Sequence, residues 1–363
     1  MSKNALARFV RHEFAPPKYL SLPTAGIDIS ASGVRLAIVE QHMKGRTLVA
    51  YDEAAIPLSA MEGGEIVDRT AVVEAVRLLV QKHRVRFANV SIPEARGYLF
   101  EAVAQGTRPD VWRTSIEQHL DEHVPLPPAE VSFDVIPMGT EGETTHLVGV
   151  GYAHQVIEET LSVFDEVGVQ VRAIESETFS LSRALLASDM EETVLIVDIG
   201  RVTTKLAVVD RGVPRFATTL EVGGHALTVA IQKYFGVTEE EAKKVKAEKG
   251  IVSTEASEEY IGAMLSTVSV MREEIARRLE YWQSKKAASE ESHRPVTRVL
   301  LVGVNATVRG LPEYFETTLG VPVALSDVFL HFAERDTWLP PLDYLDSLAY
   351  ATAIGLALRD YEL

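Results

Sequence analysis

Two stretches of the 363-residue chain carry the residue types from which a phosphate and cation site is built. The first runs Ile27-Asp28-Ile29-Ser30-Ala31-Ser32-Gly33-Val34-Arg35 and on to Glu40; the second runs Val197-Asp198-Ile199-Gly200-Arg201-Val202-Thr203-Thr204-Lys205 and on to Asp210. Each reads as apolar strand, acid, short turn of small residues, cation, apolar strand, which is the pattern of a β-hairpin. Small turn residues let backbone N–H groups approach an anion, and the hydroxyls of Ser30, Ser32, Thr203 and Thr204 add donors. An Asp ahead of such a turn repels bare phosphate, so Asp28 and Asp198 belong there when a hydrated Mg ion stands between acid and phosphate. The ligand implied is Mg-ATP or a similar Mg-nucleotide, held between two similar halves. A lone hairpin of this kind is ordinary turn chemistry. Repetition at matched spacing is what argues for the ligand.

The elements that must position these turns follow from periodicity and caps. Residues 24–56 read as three strands, and 68–83 as a helix with Asp68 as N-cap and Val72, Val73, Val76, Leu79 and Val80 on its buried face. Strands at 87–92 and 98–104, a helix over 110–122 ended by the prolines at 125–128, and strands at 131–137 and 146–152 make a small α+β unit inserted in the first half. Helices at 154–167 and 176–187 flank a strand at 169–174, and residues 193–220 repeat the three-strand opening. Val222-Gly223-Gly224 opens a helix to about 235, Thr238 caps the next over 239–249, and a long charged helix spans 255–287. A buried strand at 296–303, a helix at 311–319 and an apolar closing helix at 342–358 complete the chain. The fold class is α/β.

Composition excludes several functions. A net charge of −16 and a pI near 5.1 leave no basic face for nucleic acid. The absence of cysteine removes disulfides, thiolate metal sites and thiol nucleophiles. No apolar run is long enough to span a bilayer, and residues 1–23 form a leader whose basic amphipathic stretch at 5–12 is too short for an anchor. His119 and His123 have helical i, i+4 spacing but sit among acids and prolines, which fits a solvated helix end better than zinc. No Gly-x-Ser-x-Gly, Walker or Gly-x-Gly-x-x-Gly segment occurs.

The paired hairpins resemble the two phosphate motifs of the actin-like ATPase superfamily, and within it the chain is most similar to the PilM family, FtsA-like proteins of the type IV pilus inner-membrane platform. The stretches that carry the likeness are 26–36, Val90-Ser91-Ile92-Pro93-Glu94, the helix into Val124-Pro125-Leu126, Ala173 to Phe179, Val197 to Gly200 and Val222-Gly223-Gly224. The resemblance implies duplicated ribonuclease H-like lobes: a first lobe over 24–190 with an inserted subdomain at about 87–152, and a second over 191–363 with a helical subdomain at about 222–295. It places Asp28, Ser30, Ala31, Ser32, Gly33 and Arg35 in the first phosphate loop and Asp198, Gly200, Thr203 and Thr204 in the second. Gly223 and Gly224 match paired glycines ahead of the second-lobe helices, Lys246 a basic residue near the ribose, and Gly303 the first glycine of the adenosine motif. Lys243 stands where an acid is usual. Glu177 matches an acidic position that either orients attacking water or caps the following helix. The rest of the adenosine motif departs from the family's glycine run: Val304 and Asn305 either obstruct the backbone's approach beneath adenine or reshape it.

The function implied is a cytoplasmic nucleotide-binding scaffold, at most a slow ATPase, peripheral at the inner face of the membrane. A PilN-like single-span membrane protein tethers it through its N-terminal peptide, bound in a groove bordered by residues 87–104. The alternative is an active ATPase or small-molecule kinase of the same superfamily.

Overall fold

In a computed structural model of the chain the residues described are 24–42, 44–252, 258–284, 294–334 and 336–361. The expected leader at 1–23 lies outside them. Two compact units emerge: one takes the chain up to Ser188 together with Val328 onward, the other Asp189–Asp327.

In the first unit, β1 (Ala25–Ser30), β2 (Gly33–His42) and β3 (Gly45–Ala54) form an antiparallel meander. A short ladder of β4 (Met61–Glu62) and β5 (Glu65–Ile66) precedes α1 (Arg69–His83). Asp68 accepts the Ala71 N–H at 3.0 Å, and the expected face of α1 is buried, with Ala75 added to it. Next come β6 (Phe87–Ile92), β7 (Gly97–Gln105), α2 (Pro109–Gln118), α3 (Leu120–His123), β8 (Val131–Glu141), β9 (Thr144–Ala153), α4 (His154–Glu166), β10 (Gln170–Ser176) and α5 (Glu177–Leu185). The main sheet has the order β10-β6-β1-β2-β3, with β6 and β10 parallel to β1.

This order corrects the expected insertion. Its first strand, 87–92, is β6, an apolar run buried beside β1 in the main sheet. The separate sheet, β7-β9-β8, starts at Gly97 and packs α2 and α3 over Phe100, Phe133 and Leu147 through Trp112, Ile116 and Leu120. The single helix expected over 110–122 is broken at His119; the ring of His123 stacks on Phe100 while His119 faces Glu122.

The second unit repeats the design. β11 (Thr193–Ile199), β12 (Thr204–Asp210) and β13 (Val213–Leu220) form the meander, followed by α6 (Gly224–Phe235), α7 (Glu239–Lys249) and α8 (Glu258–Ser284). Thr238 and Glu241 make a capping box on α7. Along α8 the buried side is Tyr260, Met264, Val268, Met271, Ile275, Leu279 and Trp282, a stripe at steps of three and four. β14 (Arg298–Val302), α9 (Leu311–Leu319) and β15 (Val323–Leu325), a strand the sequence did not announce, give the order β13-β12-β11-β14-β15. Read from its parallel end this is the order of the first sheet.

The chain closes with α10 (Tyr344–Ser347) and α11 (Ala351–Leu358), and here the expected lobe boundary is corrected: residues from 328 on belong to the first unit. Every residue of α11 is buried, so the helix needs apolar cover all round. It finds that cover on β1 and α5, where missing side chains allow close approach. A Cβ at Gly26 would stand 2.5 Å from the Ala357 N and overlap the Ala353 carbonyl; a Cβ at Gly355 would overlap the Ser180 carbonyl.

Candidate functional site

In the first hairpin Ser30 and Gly33 close a two-residue turn of Ala31 and Ser32, and Ser30 Oγ donates to the Gly33 carbonyl at 3.3 Å. Gly33 has φ +138°, and a Cβ on it would lie 2.8 Å from the Ala54 carbonyl oxygen. Asp28, 5% exposed, accepts from Ser91 Oγ at 2.7 Å. Arg35 lies directly opposite Asp28 in register, yet its Nε is 3.4 Å from Glu53 and its guanidinium sits 6.0 Å from the ring centre of Tyr350. Burial pushes the Tyr350 phenol up to about 12. Strand register thus lines up Glu175, Ser91, Asp28, Arg35 and Glu53 as one polar row across five strands. Arg183 holds the Glu175 end of the row through two contacts, at 2.5 and 3.0 Å. The row crosses near the carboxyl ends of the parallel strands, where ligands of open α/β sheets bind.

Glu177 opens α5 at the same end of the sheet. It is 2% exposed, and its carboxylate accepts the Glu94 backbone N–H at 3.0 Å. Glu94 returns the arrangement: its carboxylate accepts from Ser176 Oγ and, at 2.9 Å, from Thr178 Oγ1, at the N-terminus of α5. The two acids exchange caps across 83 residues of chain. Of the two roles open to Glu177, this geometry displays a capping one, directed at the turn 94–96 rather than at its own helix. The Tyr152 phenol is packed beside them against Gly97; burial first, then the Glu94 charge, holds its pKa well above the usual phenol value.

The second hairpin is built on the same register with different surroundings. Gly200 N–H donates to the Thr203 carbonyl at 2.9 Å, and Thr204 Oγ1 to the Val222 carbonyl at 2.7 Å. Asp198 lies opposite Lys205, whose ammonium is 3.7 Å away. Gly303, at φ +96°, leaves room for that acid, since a Cβ there would overlap Asp198 Oδ1 and stand 2.7 Å from the Ile199 carbonyl. Gly223 and Gly224 bring the start of α6 onto the turn: Gly224 N–H donates to the Gly200 carbonyl at 3.0 Å and His225 N–H to that of Arg201 at 2.7 Å.

Lys246 reaches the same spot from α7. It donates to Asn305 Oδ1 at 2.7 Å, the Gly224 carbonyl at 3.1 Å and Thr228 Oγ1 at 3.2 Å. Asn305 in turn donates through Nδ2 to the Gly200 carbonyl at 2.8 Å. Burial, followed by the charges of Lys243 and Arg201, lowers the Lys246 pKa to about 8. Lys243, where an acid was expected, pairs with Glu239 at 3.1 Å, and Arg201 shares that carboxylate at 3.1 Å. Each hairpin's expected residues therefore meet within their own unit. Sequence reasoning quoted Ser91 and Glu94 within the stretch 90–94 and Asn305 in the adenosine motif but missed the partners each one meets, which no spacing signals.

The residues fit the phosphate and cation part of a Mg-nucleotide. Each unit presents an acid at a strand end behind a turn of small residues, Asp28 buried and Asp198 partly buried, and Gly303 keeps space at Asp198 that any side chain would fill.

A cavity of about 420 Å³ in the first unit is lined by Arg113, Glu117, Leu120, Ser132, Phe133 and His154, among others. The Arg113 guanidinium lies 4.9 Å from the ring centre of Phe133. It opens beside β8, an edge strand of the inserted sheet, and not against residues 87–104.

Two five-stranded sheets of one order, each led by an Asp-bearing hairpin, are the design of the actin-like ATPase fold. Solved structures agree: the chain is similar to the PilM-PilN type IV pilus biogenesis complex (TM-score 0.77, 20% identity, 94% of this chain and 99% of that one). It also resembles the ethanolamine utilization protein EutJ of Carboxydothermus hydrogenoformans (TM-score 0.55, 18% identity, covering 94% and 90%) and the ADP-bound MreB5 of Spiroplasma citri (0.54, 15%, covering 92% and 95%). At these identities the likeness establishes the fold. The family model of the type IV pilus assembly protein PilM matches residues 26–361, and the chain belongs to that family. Among the described residues no helix is long and apolar enough to cross a membrane.

Proposed function

We propose that the protein is a nucleotide-binding scaffold of the type IV pilus platform, tethered at the inner face of the cytoplasmic membrane by the N-terminal peptide of a PilN-like single-span protein. The observation that carries this reading is membership of the PilM family over nearly the whole chain. The likeness to a PilM-PilN complex supports PilN as partner. The cavity beside β8 supports an extended apolar peptide as the bound form, because Leu120, Phe133 and the Arg113 stem offer apolar walls while the strand edge offers backbone groups.

Each unit offers its own phosphate turn, 30–33 with Asp28 in the first and 200–203 with Asp198 in the second, and each carboxylate would order water on a phosphate-bound cation. A bound Mg ion would neutralise phosphate charge there, and the chain's residues would orient the phosphates. The engagement of Glu177 with Glu94 supports a holding role over rapid hydrolysis.

Titrating the labelled N-terminal peptide of the PilN-like protein against the protein and its Phe133→Ala and Arg113→Glu variants tests the tether. Saturable binding weakened about tenfold or more by both substitutions is expected. Unchanged binding in both moves the peptide site away from the cavity, and no binding to the parent removes the tether.

A further inference from the structure

We infer that the second unit takes hold of a Mg-nucleotide by its phosphates alone, leaving base and ribose unread, because Asn305 and Lys246 are engaged with each other and with the turn. The inference rests on the nucleotide reading above and narrows its ligand class to Mg-polyphosphates.

The donor count is the first support. An ammonium has three N–H donors, and Lys246 has three acceptors within the protein: Asn305 Oδ1, the Gly224 carbonyl and Thr228 Oγ1. To reach a ribose hydroxyl it must release one of them. That exchange trades one ammonium hydrogen bond to a neutral acceptor for another of the same kind and strands a buried acceptor, so it contributes little net affinity.

The second support is Asn305 itself, 5% exposed. Its amide fills the space above Gly224, where a Cβ would overlap it, so this glycine serves the asparagine rather than a ligand. Nδ2 donates to the Gly200 carbonyl, Oδ1 accepts from the Lys246 ammonium, and the backbone N–H donates to the Ile199 carbonyl at 3.1 Å. The next N–H, of Ala306, goes to the Gly303 carbonyl at 3.1 Å. Loop 303–306 is thereby closed on itself and on the hairpin. What the second unit offers to a ligand is the turn and the Asp198 carboxylate, and those meet phosphate and hydrated cation.

Calorimetry with the full chain and Mg-ATP, Mg-dATP, Mg-GTP and Mg-tripolyphosphate tests this without any variant. All four dissociation constants are expected within about threefold of one another. ATP binding tighter than tripolyphosphate by about tenfold or more overturns the inference and leaves the nucleotide reading standing. Absence of binding by all four overturns both. The cause is tested with Asn305→Gly, which frees one Lys246 donor and uncovers Gly224, and with Asn305→Ser, whose shorter hydroxyl preserves a side chain in the loop. In either folded variant a preference for ATP over tripolyphosphate of about tenfold supports Asn305 as the residue that sets the indifference; continued indifference in both overturns that assignment.

Discussion

In the first unit Asp28 is met by a neutral hydroxyl, Ser91 Oγ at 2.7 Å, while its cross-strand cation turns away to Glu53 and Tyr350. In the second, Asp198 faces its cross-strand cation at 3.7 Å, and a glycine at 303 keeps the space beside it clear. The hairpins are the same by register; the difference enters from the neighbouring parallel strand. β6 brings Ser91 beside the acid, whereas β14 brings Val302 and then Gly303. A duplicated topology places the two acids alike, and the strand next door sets their electrostatics.

Four measurements break or sharpen that comparison. The largest effect is expected from Gly303→Ala, because the new Cβ overlaps Asp198 Oδ1 on a backbone at φ +96°. A loss of about 2–4 kcal/mol in urea unfolding is expected. A variant as stable as the parent would show that the space at Asp198 is not tightly set.

Asp28→Ala and Asp198→Ala are each expected to weaken Mg-ATP by about 10- to 100-fold through lost ordering of the cation's water. Calorimetry giving a loss for one acid and none for the other reduces the pair to a single functional hairpin. Ser91→Ala isolates the first unit's distinctive contact, with an expected cost of about 1 kcal/mol by removing the hydroxyl that Asp28 accepts. No change in the unfolding midpoint would mean water replaces that hydroxyl without loss.

The smallest effect concerns pH and the second unit alone. Lys246 titrates at about 8 in the fold, below the ordinary lysine value of 10.5, because burial disfavours its charge. Between those values the unfolded chain binds more protons than the folded one, so the lysine's contribution to stability rises with pH across that window and is flat below it. The urea midpoint of the parent relative to Lys246→Met is expected to climb over that interval. A constant difference would place the ammonium in a more solvated setting.

Much of the architecture was legible along the chain. The two hairpins, the buried face of α1 with its Asp68 cap, and the Thr238 cap of α7 all appear where spacing and residue type put them. These signals are local: side-chain periodicity and cap hydrogen bonds are settled within one element, over a few residues, so the sequence carries them directly. The contacts that give the sites their character are of another kind. Asp28 meets Ser91 across 63 residues, Glu177 meets Glu94 across 83, and Lys246 meets Asn305 across 59. The closing helix α11 returns to the first unit because Gly26 and Gly355 let backbones approach closely. Which strand lies beside which, and which helix covers which sheet, is decided by burying apolar surface across the whole fold, and the polar partners that arrive with those elements are known only once it has formed.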